Sequence, residues 1–148
     1  MAPQLRAGTE RDAAGIRALL ESAGLPTDDL LTSNPKFVVA CEDDRVVATG
    51  ALQRFGASAL LRSVVVAADV RGLGLGRIIV RDLERVAQLD RVEQLFLLTQ
   101  TAQRFFEHQG YRVIDRQSVR QDVQGSAEFR SLCPASAVCM AKGLTQRG

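Results

Sequence analysis

Two stretches of the chain space their apolar residues as a helix does, and several shorter runs are apolar almost throughout. Ala13, Ile16, Leu19, Leu20 and Ala23 predict a helix over 10–23, with Thr9 as its N-cap and Gly24 and Pro26 as its stop. Leu75, Ile78, Ile79, Leu83, Val86 and Ala87 predict a helix over 74–89 and its buried stripe. A short helix over 101–109 ends at Gly110. A turn or short helix spans 27–31, and Pro35 closes that connection. Strands are expected at 4–7, 36–42, 45–55, 59–66, 94–99, 111–114 and 137–141. Asp43-Asp44 and Gly56 are turn signals that join three of these strands into an antiparallel meander, with Gly50 as its bulge. "QLFLLT" at 94–99 has the unbroken apolar character of a strand covered on both faces. The segment 118–132 reads as one or two helical turns. No internal repeat is visible. Meander first, then helices crossing between strands, is a mixed α/β (α+β) layout.

At 148 residues the chain predicts one domain, spanning 1–148. Hydrophobic residues at 46% and charged residues at 24% are ordinary for a soluble protein. A net charge of +2 is too small to point to nucleic acid or a membrane surface as a partner. No apolar run is long enough for a membrane span, and the first residues lack the apolar core of a signal peptide, so a cytoplasmic location is expected. Cys41, Cys133 and Cys139 form no CxxC pair and His108 is the single histidine, so no metal site is expected.

The chemistry begins at "RGLGLG", between the valine-rich strand and the 74–89 helix. A P-loop would need Lys-Ser/Thr where Arg77-Ile78 stands, and a dinucleotide fingerprint would need its third glycine at Arg77. The spacing instead fits Q/R-x-x-G-x-G/A, with Arg71, Gly74 and Gly76 in the defined places. Glycines leave backbone amides unshielded, and a helix N-terminus adds orphan N–H groups and a positive dipole end. Such a corner suits a pyrophosphate.

In this position the motif resembles the acetyl-CoA site of the GNAT acyltransferase superfamily. "TAQRFFEHQGYRV" at 101–113 is similar to the A-x-x-F-Y/F-x-x-x-G-F/Y segment that closes that family's core. The resemblance covers nearly the whole chain. It implies a mixed sheet of about six to seven strands with splayed central strands and about four flanking helices. It also implies acetyl-CoA as cosubstrate, held by Val64, Val65, Val66, Arg71, Gly72, Leu73, Gly74, Leu75, Gly76, Arg77 and Phe105. A homodimer is compatible with it.

The same resemblance implies attack of a neutral amine on the thioester and an acid for the leaving thiolate. Many members use a tyrosine as that acid; here Phe106 stands in its place, and Tyr111 reads as a core strand residue. Thr99, Thr101, Ser136 and Cys133 remain weak catalytic candidates. Glu42 reads as a strand terminus and His108 as a surface residue. The run "LLTQTA" is shared with acetylators of glutamate-like amino acids, and "LCPASAVCM" resembles the bacterial arsenic-resistance N-acetyltransferases. These imply a small amine acceptor of amino-acid type, with an arsenic-containing glutamate analogue as the narrowest case. Gln53, Arg54, Arg62, Ser63, Ser131, Cys133 and Ser136 are the candidate acceptor contacts, the arginines as cations for a carboxylate. Capture of trivalent arsenic by Cys133 and Cys139 is a minor alternative. A non-catalytic acyl-CoA sensor is the competing functional class.

Overall fold

The computed structural model describes residues 3–30, 35–119, 121–132 and 136–144. Its sheet contains β1 (Gln4–Ala7), β2 (Lys36–Glu42), β3 (Arg45–Phe55), β4 (Ser58–Val66), β5 (Gln94–Thr99), β6 (Arg112–Val113) and β7 (Val138–Gly143). They are ordered β1-β2-β3-β4-β5-β7-β6. Every neighbouring pair is antiparallel except β4–β5. The helices are α1 (Ala13–Ser22), α2 (Leu75–Leu89), α3 (Gln103–His108) and α4 (Gln121–Gln124), followed by a π-type turn, Glu128–Leu132.

Local chemistry explains the first helix. Thr9 and Asp12 form a capping box around a 3-10 turn, Glu10–Asp12, from which α1 continues. Arg6 grips the buried Asp12 carboxylate in a fork, at 2.7 and 2.8 Å, and holds its pKa down to about 2. Of the predicted apolar face only Ile16 and Leu20 are buried; Ala13 and Ala23 are exposed.

The α2 stripe differs from its expected course. Leu75, Ile79, Val80, Leu83 and Ala87 are buried, whereas Ile78 is 43% exposed. At about 100° per residue the buried arc is centred near Leu83, which brings Val80 inside and carries Ile78 past the edge.

Strand side chains alternate between two cores. Val38, Leu61, Leu95 and Leu97 face α2, with Ile79 and Leu83. On the other face, Val39 and Val65 pack with Ile16 and Leu20 of α1. Leu60 and Phe96 pack there with Val123 and Phe129 of the C-terminal segment.

The bulge lies on β4, not at Gly50 of β3. Thr49 pairs with Val65 and Ala51 with Arg62, so Ser63 and Val64 together oppose Gly50. Ser63 takes the left-handed conformation, φ 60°. The added residue reverses the strand's parity. Leu61 faces α2 before it, and Val64 and Val66 pack toward α2 after it. Gly50 has a different duty: a Cβ there would fall 2.6 Å from Ile79 Cγ2 and 2.7 Å from Leu83 Cδ1. Gly50 thus sets how closely α2 approaches the sheet. Gly50→Ala is therefore expected to destabilise the fold by about 1–3 kcal/mol, by overpacking. Denaturant unfolding checks this, and an unchanged midpoint would refute that role.

Candidate functional site

β4 and β5 pair at only three positions, Ser58–Gln94, Ala59–Leu95 and Leu60–Phe96. β5 then stays with β7 along its whole length. The edge of β4 beyond Leu60 therefore carries no ladder to β5, and a gap opens between the C-terminal ends of the two strands. Two cavities meet in it. One, about 490 Å³, is lined by Val64, Val65, Val66, Arg71, Gly72, Gly74, Leu75, Gly76, Arg77, Ala102, Phe105 and Phe106. The other, about 310 Å³, lies toward the residues that follow α1, with Gly24, Leu25, Pro26, Arg62, Ser63, Thr99, Gln100, Thr101, Glu128 and Ala137 in its wall. Val64, Val65, Val66, Arg71, Ala102 and Phe106 border both.

The glycine corner forms the floor of the larger cavity. Gly72 and Gly74 have φ of 89° and 78°, and a Cβ at either would meet nothing within 4 Å. Gly74 is the N-cap of α2. Ile78 is the first residue to bond back, to the Gly74 carbonyl at 3.1 Å. The amides of Leu75, Gly76 and Arg77 thus have no helical acceptor and open the fifteen-residue helix with its positive dipole end. Gly76 serves packing: a Cβ there would touch the Phe105 ring at 3.3 Å. Arg71 stands exposed where the cavities join, its Nε donating to the Val66 carbonyl at 3.4 Å. Orphan amides, arginines and open space fit a pyrophosphate, and the unpaired β4 edge fits an extended amide-bearing arm such as pantetheine.

The smaller cavity has a charged wall. The Arg62 side chain is fully buried, with Nη1 and Nη2 each donating to Asp29 at 2.6 Å. Nη1 also donates to Gln53 Oε1 at 3.1 Å, and Nε lies 3.3 Å from Glu128 Oε2. Gln53 therefore acts behind the wall, as a prop for Arg62.

Several predicted contacts lie elsewhere. Arg54, near the end of β3, is exposed and donates to the Gly56 carbonyl at 3.0 Å. Leu73 is 61% exposed and lines neither cavity. Ser136 is exposed outside both linings and receives a bond from Gln100 Nε2 at 3.4 Å. Thr99 lines the gap, and its Oγ1 accepts from the Ala102 N–H at 3.0 Å, which starts α3. Glu42 and His108 line neither cavity. Cys133 and the Ser131 side chain fall outside the described residues.

Phe106 lies on the wall of both cavities, so the position of the family's tyrosine is apolar. Tyr111 is buried, donates to Glu84 Oε2 at 2.7 Å and lines neither cavity; burial, with Glu84 beside it, raises its pKa. Lys142 completes that cluster, donating to Glu84 at 3.0 Å and to the Gln109 carbonyl at 2.7 Å. Burial pushes the Cys139 thiol up to about 11, which leaves it protonated at neutral pH. Among the described residues no group of three His, Cys, Asp or Glu side chains could hold a metal ion.

Asp29 and Glu128 were not anticipated. An arginine in the apolar run "ALLRSVVV" requires buried counter-charges, and the acids embedded in "LPTDDLL" and "SAEFRSL" are where that requirement could have pointed.

A mixed sheet opened between two central strands, with a pyrophosphate cradle at the adjoining helix, defines an acyl-CoA-binding transferase. The family model described as Acetyltransferase (GNAT) domain matches residues 33–113, and the chain belongs to that family: it is an acetyl-CoA-dependent acetyltransferase. Among solved structures, Rv2747 from Mycobacterium tuberculosis in complex with CoA and NLQ is 25% identical, with a TM-score of 0.81 over 97% of this chain and 100% of that one. A GNAT-family acetyltransferase from Staphylococcus aureus Mu50 is 17% identical, with a TM-score of 0.79 over 97% and 100%. N-acetylglutamate synthase from Neisseria gonorrhoeae, complexed with coenzyme A and N-acetyl-glutamate, is 16% identical, with a TM-score of 0.81 over 99% of this chain and 36% of that one. At such identities the last two show the shared fold. No curated protein sequence matches the chain.

Gly74→Val tests the cradle. The branched side chain would enter the open space and strain a left-handed position, while no core contact is touched. Coenzyme A affinity should fall at least about tenfold with the sheet intact by circular dichroism, a loss of about 1.4 kcal/mol. Unchanged affinity would reduce the corner to a turn.

Proposed function

We propose that the chain, as a single cytoplasmic domain, transfers the acetyl group of acetyl-CoA to the amino group of a small amino-acid-like acceptor. The carrying observation is the meeting of two cavities through the β4–β5 gap. The donor would lie on the α2 side, with Val64, Val65, Val66, Arg71, Gly72, Gly74, Leu75, Gly76, Arg77 and Phe105 around it. The acceptor would enter from the α1 side, where about 310 Å³ suits a small molecule. The amino-acid ligand named with the gonococcal synthase accords with this class.

Acetyl-CoA supplies an activated thioester. The chain's part is to hold the thioester in the gap, bring the amine to it and shield both from water. Phe106 supplies dryness rather than a proton. A thiol with a pKa near the usual value of about 8.5 is a competent leaving group without a side-chain acid at that position.

The narrower acceptor, an arsenic-containing glutamate analogue, rests on the likeness of the 127–144 tail. The protonated, buried Cys139 weighs against thiolate capture of arsenic as part of the site.

Thiol release from acetyl-CoA over a panel of amino acids, an arsenic-containing glutamate analogue and simple amines tests the reading. Turnover with small amino acids is expected. Coenzyme A binding without turnover on any amine would overturn it in favour of a non-catalytic acyl-CoA module. In the same assay Tyr111→Phe should keep its turnover within about twofold while losing about 1–3 kcal/mol of stability. A hundredfold loss of turnover would instead make Tyr111 the acid.

A further inference from the structure

Ser63 is the one described residue other than glycine that takes a left-handed conformation inside a strand, with φ 60°. The other two left-handed residues of this kind, Asp43 and Arg91, lie in the connections after β2 and α2. A left-handed bulge position ordinarily holds glycine, because a Cβ is strained there. Such strain persists only where the surroundings impose it, and it gathers at sites of function. Here both neighbours are committed. The Arg62 guanidinium is held by the Asp29 fork, with both bonds at 2.6 Å, and Val64 packs toward α2. Ser63 is the added residue between them, and it borders the smaller cavity but not the larger.

The Ser63 hydroxyl is uncommitted. Three hydroxyl side chains border the smaller cavity: Ser63, Thr99 and Thr101. Thr99 Oγ1 already accepts from the Ala102 N–H, and Thr101 is exposed. Ser63 is 7% exposed, and among the described residues no group hydrogen-bonds to its hydroxyl. A buried hydroxyl without a partner is costly, and a ligand that supplies the partner removes that cost. The place of Ser63 narrows the ligand. Val64, Val65 and Val66 border both cavities, and Ser63 precedes them on the acceptor side. Strand spacing puts a molecule bound to Ser63 roughly 3.3 Å from the segment where the cavities meet. A serine hydroxyl is at once a donor and an acceptor. An α-amino acid carries an N–H donor and a carboxylate acceptor on one carbon, so it matches both. A plain amine matches only one.

We propose that the Ser63 hydroxyl selects an α-amino acid as acceptor, accepting a hydrogen bond from its amino group and donating one to its carboxylate; this rests on the acetyltransferase reading above. With one N–H held by Ser63, the lone pair of the neutral amine is left to face the thioester across the gap. Ser63 exchanges no proton in the reaction. It binds and orients the acceptor, and the left-handed bulge is what aims its oxygen into the cavity.

Ser63→Ala removes the hydroxyl and keeps the Cβ. For the best amino acid of the panel, kcat/KM should fall at least about fivefold, with coenzyme A affinity unchanged within about twofold. The decarboxylated amine, which has no carboxylate to lose, should fall at least about threefold less wherever it is a substrate. Ser63→Gly should give the same pattern at a denaturant midpoint no lower than that of the wild type, since glycine takes this conformation without strain. A fall under about fivefold with the amino acid in either variant, an equal fall with the plain amine, a lower midpoint in Ser63→Gly or a matching loss of coenzyme A affinity would each overturn the proposal. A wild type that prefers the plain amine would also overturn it, with the acetyltransferase reading left in place. Should the wild type acetylate nothing, that reading fails by itself, and calorimetric titration of the CoA-saturated protein with L-alanine then judges Ser63. Binding weakened at least about fivefold by Ser63→Ala supports the contact; a smaller effect, or no binding to the wild type, overturns it.

Discussion

The parallel ladder between β4 and β5 stops at Leu60 and Phe96, and the rest of the molecule is arranged around that stop. β5 cannot follow β4 further, because it stays bonded to β7 through Thr99. β4 cannot follow β5, because the bulge at Ser63 and Val64 turns its later residues onto a new parity and keeps them with β3. Backbone groups left without a neighbouring strand are costly when buried and useful when a ligand can meet them. Here they face a gap that opens to both sides of the sheet. Gly50 lets α2 lie close under β3 and β4, so its amino end and the glycine corner reach the same gap. The two cavities then meet at one place from opposite faces of the sheet.

The opposite wall adds ions to its apolar packing. Arg62 joins β4 to the turn after α1 and to the π-type turn before β7. A buried ion network adds little net stability over an apolar replacement, yet removing one partner is expensive. Such a network fixes position. It ties two segments that border the smaller cavity to the bulged strand, and Gln53 from β3 adds a third anchor.

Much of this was visible in the sequence where the signal is local. The bounds of β1, β2, β3 and β5 follow from apolar runs bracketed by turn residues, and Gly74 announces the start of α2 as a left-handed cap. The glycine corner was readable because its spacing excludes competing motifs and each glycine has a nearby cause. What escaped depends on partners far along the chain. Gly50 resembled a bulge, but its reason is two side chains of α2 about thirty residues later. Arg54 and Arg62 looked equivalent as strand cations. Only the tertiary placement of Asp29 and Glu128 separates the solvated one from the buried one. Ile78 and Val80 exchanged places because a helix's buried arc is set by where the sheet lies.

In the proposed complex the open β4 edge and the start of α2 together grip acetyl-CoA. Amide hydrogen exchange with and without coenzyme A reads it directly, since each group is a backbone N–H. Binding should slow exchange at Val66 and at Leu75, Gly76 and Arg77, with β1 and β2 unaffected. Tight binding of coenzyme A with no slowing at these amides would contradict the account.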